Sequence, residues 1–192
     1  MRRNSNGISA RVLVMAVALT LIIGGIIGGS VAWLTATSDT VTNTFTIGDI
    51  KIELKETTGE SYTMVPGNDI SKDPKVTVKK GSEACWLFVK IEGKNNVNDF
   101  VTYEIADGWT ELTGVTGVYY RKVEAAKDQD SSAFSILKGD KVTAKSTVTK
   151  EMYKNLTEDT YPKLLFTAYA IQRDNINDPA TAWSNLFPST NP

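Results

Sequence analysis

The chain has 192 residues, with 21 Lys+Arg against 22 Asp+Glu, a single Cys and no His. That length suits one domain with a short appendage. The absence of His removes Ser-His-Asp and Cys-His catalysis and any His-bearing zinc site, and one Cys closes no intrachain disulfide.

Arg2, Arg3 and Arg11 are the only charges before Asp39. With those three set aside, the 21 basic and 22 acidic residues become 18 and 22, a net −4 for the body. No basic face points to nucleic acid as a partner.

The three arginines flank an uncharged stretch from Val12 to Ser38, densest in aliphatic residues between Val12 and Ile23. A positive start followed by such an apolar run predicts a signal peptide over residues 1–32. Gly24, Gly25, Gly28 and Gly29 then loosen the helix, each by about 1 kcal/mol relative to Ala. Ser30 and Ala32 are small residues at −3 and −1 for a cut before Trp33, and Ala36 marks a second place for it. The alternative is an uncleaved anchor over residues 12–34, long enough to span about 30 Å of hydrocarbon. A membrane contact is then made only by this leader.

From residue 41 onward, alternation with a period of two predicts strands. Ile50, Ile52 and Leu54 share a face opposite Lys51, Glu53 and Lys55; Val76 and Val78 repeat the pattern. Cys85, Leu87, Val89 and Ile91 fall together opposite Trp86, Phe88 and Lys90. Val101, Tyr103 and Ile105 follow, then Val142, Ala144, Ser146 and Val148. Leu164 to Ile171 is apolar on both faces except for Thr167, as a central strand requires. Turn signals sit between the runs, at Pro66 to Asp69, Gly93 to Asn96, Asp107-Gly108 and Gly139-Asp140. Together these predict an all-β sandwich or barrel spanning residues 47–192. Helix is confined to a short turn within Lys150 to Leu156 and to a C-terminal helix. The latter has Asn177-Asp178 as cap, Pro179 in the first turn, and Trp183 and Leu186 packed on the sandwich edge.

The junction between leader and body resembles the export region of the TasA/camelysin family. These are Gram-positive bacterial proteins cut by a signal peptidase of the SipW type. The shared elements are the glycine-rich end of the apolar run, the Ser30-Val31-Ala32-Trp33 step, a polar Thr/Asp stretch, then Phe45-Thr46-Ile47-Gly48-Asp49-Ile50 and an alternating strand. The match covers residues 20–55; Leu34 stands where Phe is common and Ala36 where an acidic residue is common. The resemblance implies a jelly-roll-like β-sandwich, secreted, that self-assembles into extracellular or biofilm matrix fibres. It also implies a signal peptidase, other matrix or cell-surface components and further copies of the chain as partners. In such a family the new N-terminal segment of one subunit completes the sheet of the next.

Residues 33–46 fit that role on their own terms. Thr35 to Thr46 is Thr-rich, charged only at Asp39, and carries Val41 and Phe45 as apolar anchors, with Ile47 following. Main-chain hydrogen bonds and alternate side chains let such a segment add to an open sheet edge; head-to-tail addition does not close and builds filaments. The competing reading is a tether or an intramolecular first strand.

Other candidates read as structural. Cys85 lies on the apolar face and reads as core, with an intermolecular disulfide as its rival. Asp128-Gln129-Asp130-Ser131-Ser132 lacks the glycine and distal Glu of a calcium loop and reads as a solvated turn. Lys138-Gly139-Asp140 reads as a hairpin turn. Trp86, Trp109, Tyr119, Tyr120, Tyr169 and Trp183 read as core and cross-strand packing rather than a glycan platform. Glu83, Glu92 and Glu104 read as solvated rather than as a glycosidase pair. Camelysin has been regarded as a metalloprotease, but this chain has no His-Glu-x-x-His and no His at all. The sequence therefore points to a structural subunit with no enzyme activity and no cofactor or metal. Its rival is a cell-surface module that binds a glycan or protein without polymerising.

Overall fold

A computed structural model of the chain describes residues 35–37, 43–58, 61–154 and 156–187. The strands begin with β1 (Thr35–Thr37), β2 (Asn43–Ile47), β3 (Ile52–Lys55), β4 (Ser61–Thr63), β5 (Asp69–Ser71), β6 (Lys75–Val78) and β7 (Cys85–Lys94). They continue with β8 (Val101–Thr102), β9 (Thr110–Glu111), β10 (Val118–Val123), β11 (Phe134–Ser135), β12 (Lys141–Ala144) and β13 (Lys163–Gln172). Three short α-helices, α1 (Val97–Phe100), α2 (Lys150–Tyr153) and α3 (Pro179–Leu186), and two 3-10 turns, Lys138–Asp140 and Glu158–Thr160, complete the described elements. The fold is all-β.

One layer is a five-stranded sheet in the order β2-β13-β7-β10-β9, antiparallel except for the β2–β13 pair. Its long strands β7 and β13 pair over ten residues each. The second layer consists of two ladders, β11-β6-β3 and β5-β12-β8. They are continuous where the chain bends: Ile136 N–H donates to Pro74 O at 3.0 Å and Lys72 N–H to Asp140 O at 2.8 Å. β1 and β4 form a separate antiparallel pair.

The core lies between the layers, and the alternation read from the sequence builds it. Cys85, Leu87, Val89 and Ile91 of β7 and Phe166, Ala168 and Ala170 of β13 meet Leu54, Val76, Val78, Val142 and Ala144 from the other layer. The opposite face of β7 is buried as well. Trp86 and Phe88 join Val118, Ile171 and Ala182 in a second cluster, against which Tyr120, Tyr169 and Trp183 pack. Trp183 and Leu186 thus cover a sheet face, not the sandwich edge that the sequence suggested. A helix that crosses the face buries more aromatic surface than one at the rim.

Three further expectations change. The strand through Val142 stops at Ala144, and Ser146 lies in a turn. Gly93 belongs to β7, and the turn starts at Asn95, where the left-handed backbone begins. The glycine is needed because a Cβ there would meet Val97 Cγ1 at 2.5 Å, so α1 can fold back against β7. Lys138–Asp140 is a 3-10 turn between β11 and β12, not a hairpin, because both flanking strands continue along the same neighbouring run. No helix among the described residues is long and apolar enough to cross a membrane. The proposed leader, including Ser30, Ala32 and Trp33, lies outside the described residues, as does Val41.

Candidate assembly edge

β2 completes the five-stranded sheet. Its Thr, Phe and Ile suit a pleated surface, and it runs parallel to β13 with Asn43 opposite Thr167 and Ile47 opposite Ile171. Among the described residues no strand pairs with its far edge. Phe45 and Ile47 point to the same side of the strand and remain 54% and 46% exposed. Two of the three expected anchors, Phe45 and Ile47, therefore lie on one edge strand, which starts inside the 33–46 segment and ends one residue past it. Ala36 lies in β1, opposite Tyr62.

The strand leaves the sheet through Gly48, whose φ of +95° favours glycine. Ile50 N–H donates to Gly48 O at 2.9 Å, and a Cβ on Gly48 would stand 2.9 Å from Gln172 Oε1. Four residues later β3 begins in the other layer, so the connection is a tight crossover at the sandwich margin.

Phe45 stacks on Tyr169, with ring centroids 5.3 Å apart and planes within 16°. Tyr169 meets Trp183 edge-on at 5.4 Å and Phe187 edge-on at 5.2 Å, and Trp183 and Phe187 lie 4.7 Å apart. α3 supplies Trp183, and the residue that caps its C-terminus is Phe187. Asp178 caps it by accepting from Thr181 N–H at 2.9 Å, with Pro179 in the first turn. Those backbone and side-chain bonds from Thr181 hold the Asp178 carboxyl below its usual value. The segment before the helix is tied to the sheet by Trp86 Nε1, which donates to Ile176 O at 3.0 Å.

The remaining candidates are structural. Cys85 is fully buried, and burial pushes its thiol up to about 12, which leaves no exposed thiolate for a bridge. Asp130 accepts from Lys80 N–H at 2.7 Å and pairs with Lys79 at 2.5 Å; Ser131 Oγ accepts from Val78 N–H at 2.9 Å. That loop closes the edge of β6. Among the described residues no three His, Cys, Asp or Glu converge on a metal position. Glu92 pairs with Lys90 at 3.0 Å and Glu104 with Lys138 at 2.8 Å, while Glu83 is exposed. Of the six aromatics singled out, Trp86, Tyr120, Tyr169 and Trp183 gather on the outer face of the five-stranded sheet, whereas Trp109 and Tyr119 pack on the main core. Phe187 escaped the sequence reading; it follows the last residue of α3 with a non-helical backbone, so helical spacing does not mark it.

Comparison of the chain with protein-family models, with curated proteins and with solved structures returned no match.

Proposed function

We propose that the chain is a secreted structural subunit that self-assembles into extracellular fibres by donating residues 33–46 to the sheet edge of a neighbouring copy. The observation that carries this reading is β2 itself: a short N-terminal strand, parallel to β13, uncharged, on an edge that no described strand covers. The same five residues that complete one copy's sheet can complete the next copy's, given an open hinge at Gly48. The resemblance of residues 20–55 to the TasA/camelysin family supports the same reading. It adds a jelly-roll-like sandwich, a cell-surface or biofilm matrix location, and a SipW-type signal peptidase that cuts near Ala32 to Ala36. The lack of His, with Glu92 and Glu104 paired to lysines, supports a role without catalysis.

Negative-stain microscopy of the processed protein tests the reading, with deletion of residues 33–45 as the comparison. Fibres from the processed chain and monomers from the deletion are expected. Fibres that persist unchanged in the deletion rule out strand donation. Monomers from both, in size-exclusion chromatography and micrographs, favour a surface binding module.

A further inference from the structure

We propose that Tyr169, Trp183 and Phe187 form an aromatic clamp that reads Phe45. The clamp selects which strand the β13 edge accepts and fixes its register. The strand it fits carries an aromatic residue two positions before a β-branched aliphatic one, as supplied by residues 43–47 of a second copy of this chain. This rests on the strand-donation reading for the identity of the donor, but the clamp itself is a property of the acceptor edge.

The main-chain bonds of a strand pair are the same in every register, so they cannot choose one. Side chains must choose. A slip of one residue places Thr44 or Thr46 opposite Tyr169 and turns Phe45 to the other side of the sheet. A slip of two places Asn43 or Ile47 there and loses the stack. Only the observed register sets Phe45 over the Tyr169 ring, with Trp183 of α3 and Phe187 just past its end holding that ring edge-on. Since the holding residues come from α3 and its C-cap, the edge is finished only when the last described element has docked. Phe187, 46% exposed, sits at the rim of this cluster, where an incoming strand passes.

The test is hydrogen exchange of the β2 amides in the purified full chain. An aromatic pair contributes about 0.5–1.5 kcal/mol, so Phe45→Ala is expected to speed exchange over residues 43–47 by roughly two- to tenfold. Phe187→Ala, at an exposed position, should give a smaller increase in the same amides. Phe45→Tyr should restore protection, and Thr44→Ala should leave it unchanged. A peptide of residues 41–49 added to the Phe45→Ala chain should restore protection at β13, whereas the same peptide with Ala at position 45 should not. Equal exchange in Phe45→Ala and wild type, or equal action of the two peptides, overturns the clamp even when fibres form. Loss of protection in Phe45→Ala in a chain that never forms fibres upholds the clamp and removes the fibre reading instead.

Discussion

The two outer faces of the sandwich are built from the same alternating strands and end in opposite states. On the five-stranded sheet, Trp86, Phe88, Val118 and Ile171 point away from the main core and are nevertheless buried, because α3 lies over them. On the other layer Glu53 and Lys55 of β3, Lys75 of β6 and Lys79 just past its end point outward, partly or well exposed and joined in ion pairs. A strand face becomes core only when another element covers it, and a face with no cover carries charge. The edges follow the same division. β3, at the end of its ladder, bears Glu53 and Lys55, which discourage a further strand. β2, at the end of the five-stranded sheet beside the aromatic face, bears no charge and has no described strand on its far side.

The largest break in this comparison comes from Trp86→Ala. If the helix-covered face is a true second core, the substitution should cost about 3–5 kcal/mol, comparable with Leu87→Ala on the inner face. It also removes the bond from the indole N–H to Ile176 O. Urea unfolding measures both. A Trp86 variant within about 1 kcal/mol of wild type would reduce the outer cluster to a loosely held cover.

The charged layer contains one exception that sharpens the contrast. Lys72 lies in the bend between β5 and β6, 3% exposed, with Nζ at 2.8 Å and 3.0 Å from the carboxylate oxygens of Glu56, itself 6% exposed. Its ammonium stands 5.6 Å from the centre of the Phe166 ring. Lys72→Ala leaves a carboxylate buried without this cation and should cost about 3 kcal/mol. Replacing both members, Lys72→Met with Glu56→Leu, should recover most of that loss. A double variant as unstable as the single one would show that the charges are required as charges.

Asp73, in the same bend, tests the layer through pH. Its partial burial raises the carboxyl, but bonds from the Thr57 hydroxyl and N–H and from Thr58 outweigh this and lower it from 3.8 to about 2. The folded state therefore binds this proton more weakly than the unfolded one. The stabilisation, about 2 kcal/mol, is complete above pH 4 and lost as the pH falls to 2. Asp73→Asn should flatten that part of the stability–pH curve. An unchanged acid slope in the variant would assign the loss to other carboxylates.

Sequence periodicity carried the long strands and both faces of β7, since burial on one side leaves a period of two and burial on both leaves an apolar run. It could not place α3, because a short helix with Trp183 and Leu186 fits an edge or a face equally well until its partners are known. Nor did it show that Phe45 meets Tyr169. The two are far apart in sequence, and parallel pairing has no turn to mark it. The bend at Lys138–Asp140 was misread because Gly-Asp composition describes a local turn and does not say whether the chain reverses. Phe45 and Ile47 are legible as the large apolar residues of an edge strand because they alternate with Thr46 in an uncharged segment.

The smallest effect belongs to the open charged face. Lys79 reaches Asp130 at 2.5 Å and Glu53 at 3.4 Å, and the hydrogen bond to Asp130 holds its ammonium above the usual lysine value. Exposed pairs of this kind are screened and conformationally costly, so Lys79→Ala should shift the melting midpoint by about 2 °C or less. Raising the salt to 1 M, where the Debye length is about 3 Å, should remove even that difference. Asp130→Ala should cost more than Lys79→Ala, because the carboxylate also accepts from Lys80 N–H at 2.7 Å and this bond closes the end of β6. If the two variants melt together at low and high salt alike, the loop is held by Ser131 on Val78 N–H, and the ladder serves only to keep this face charged and unpaired.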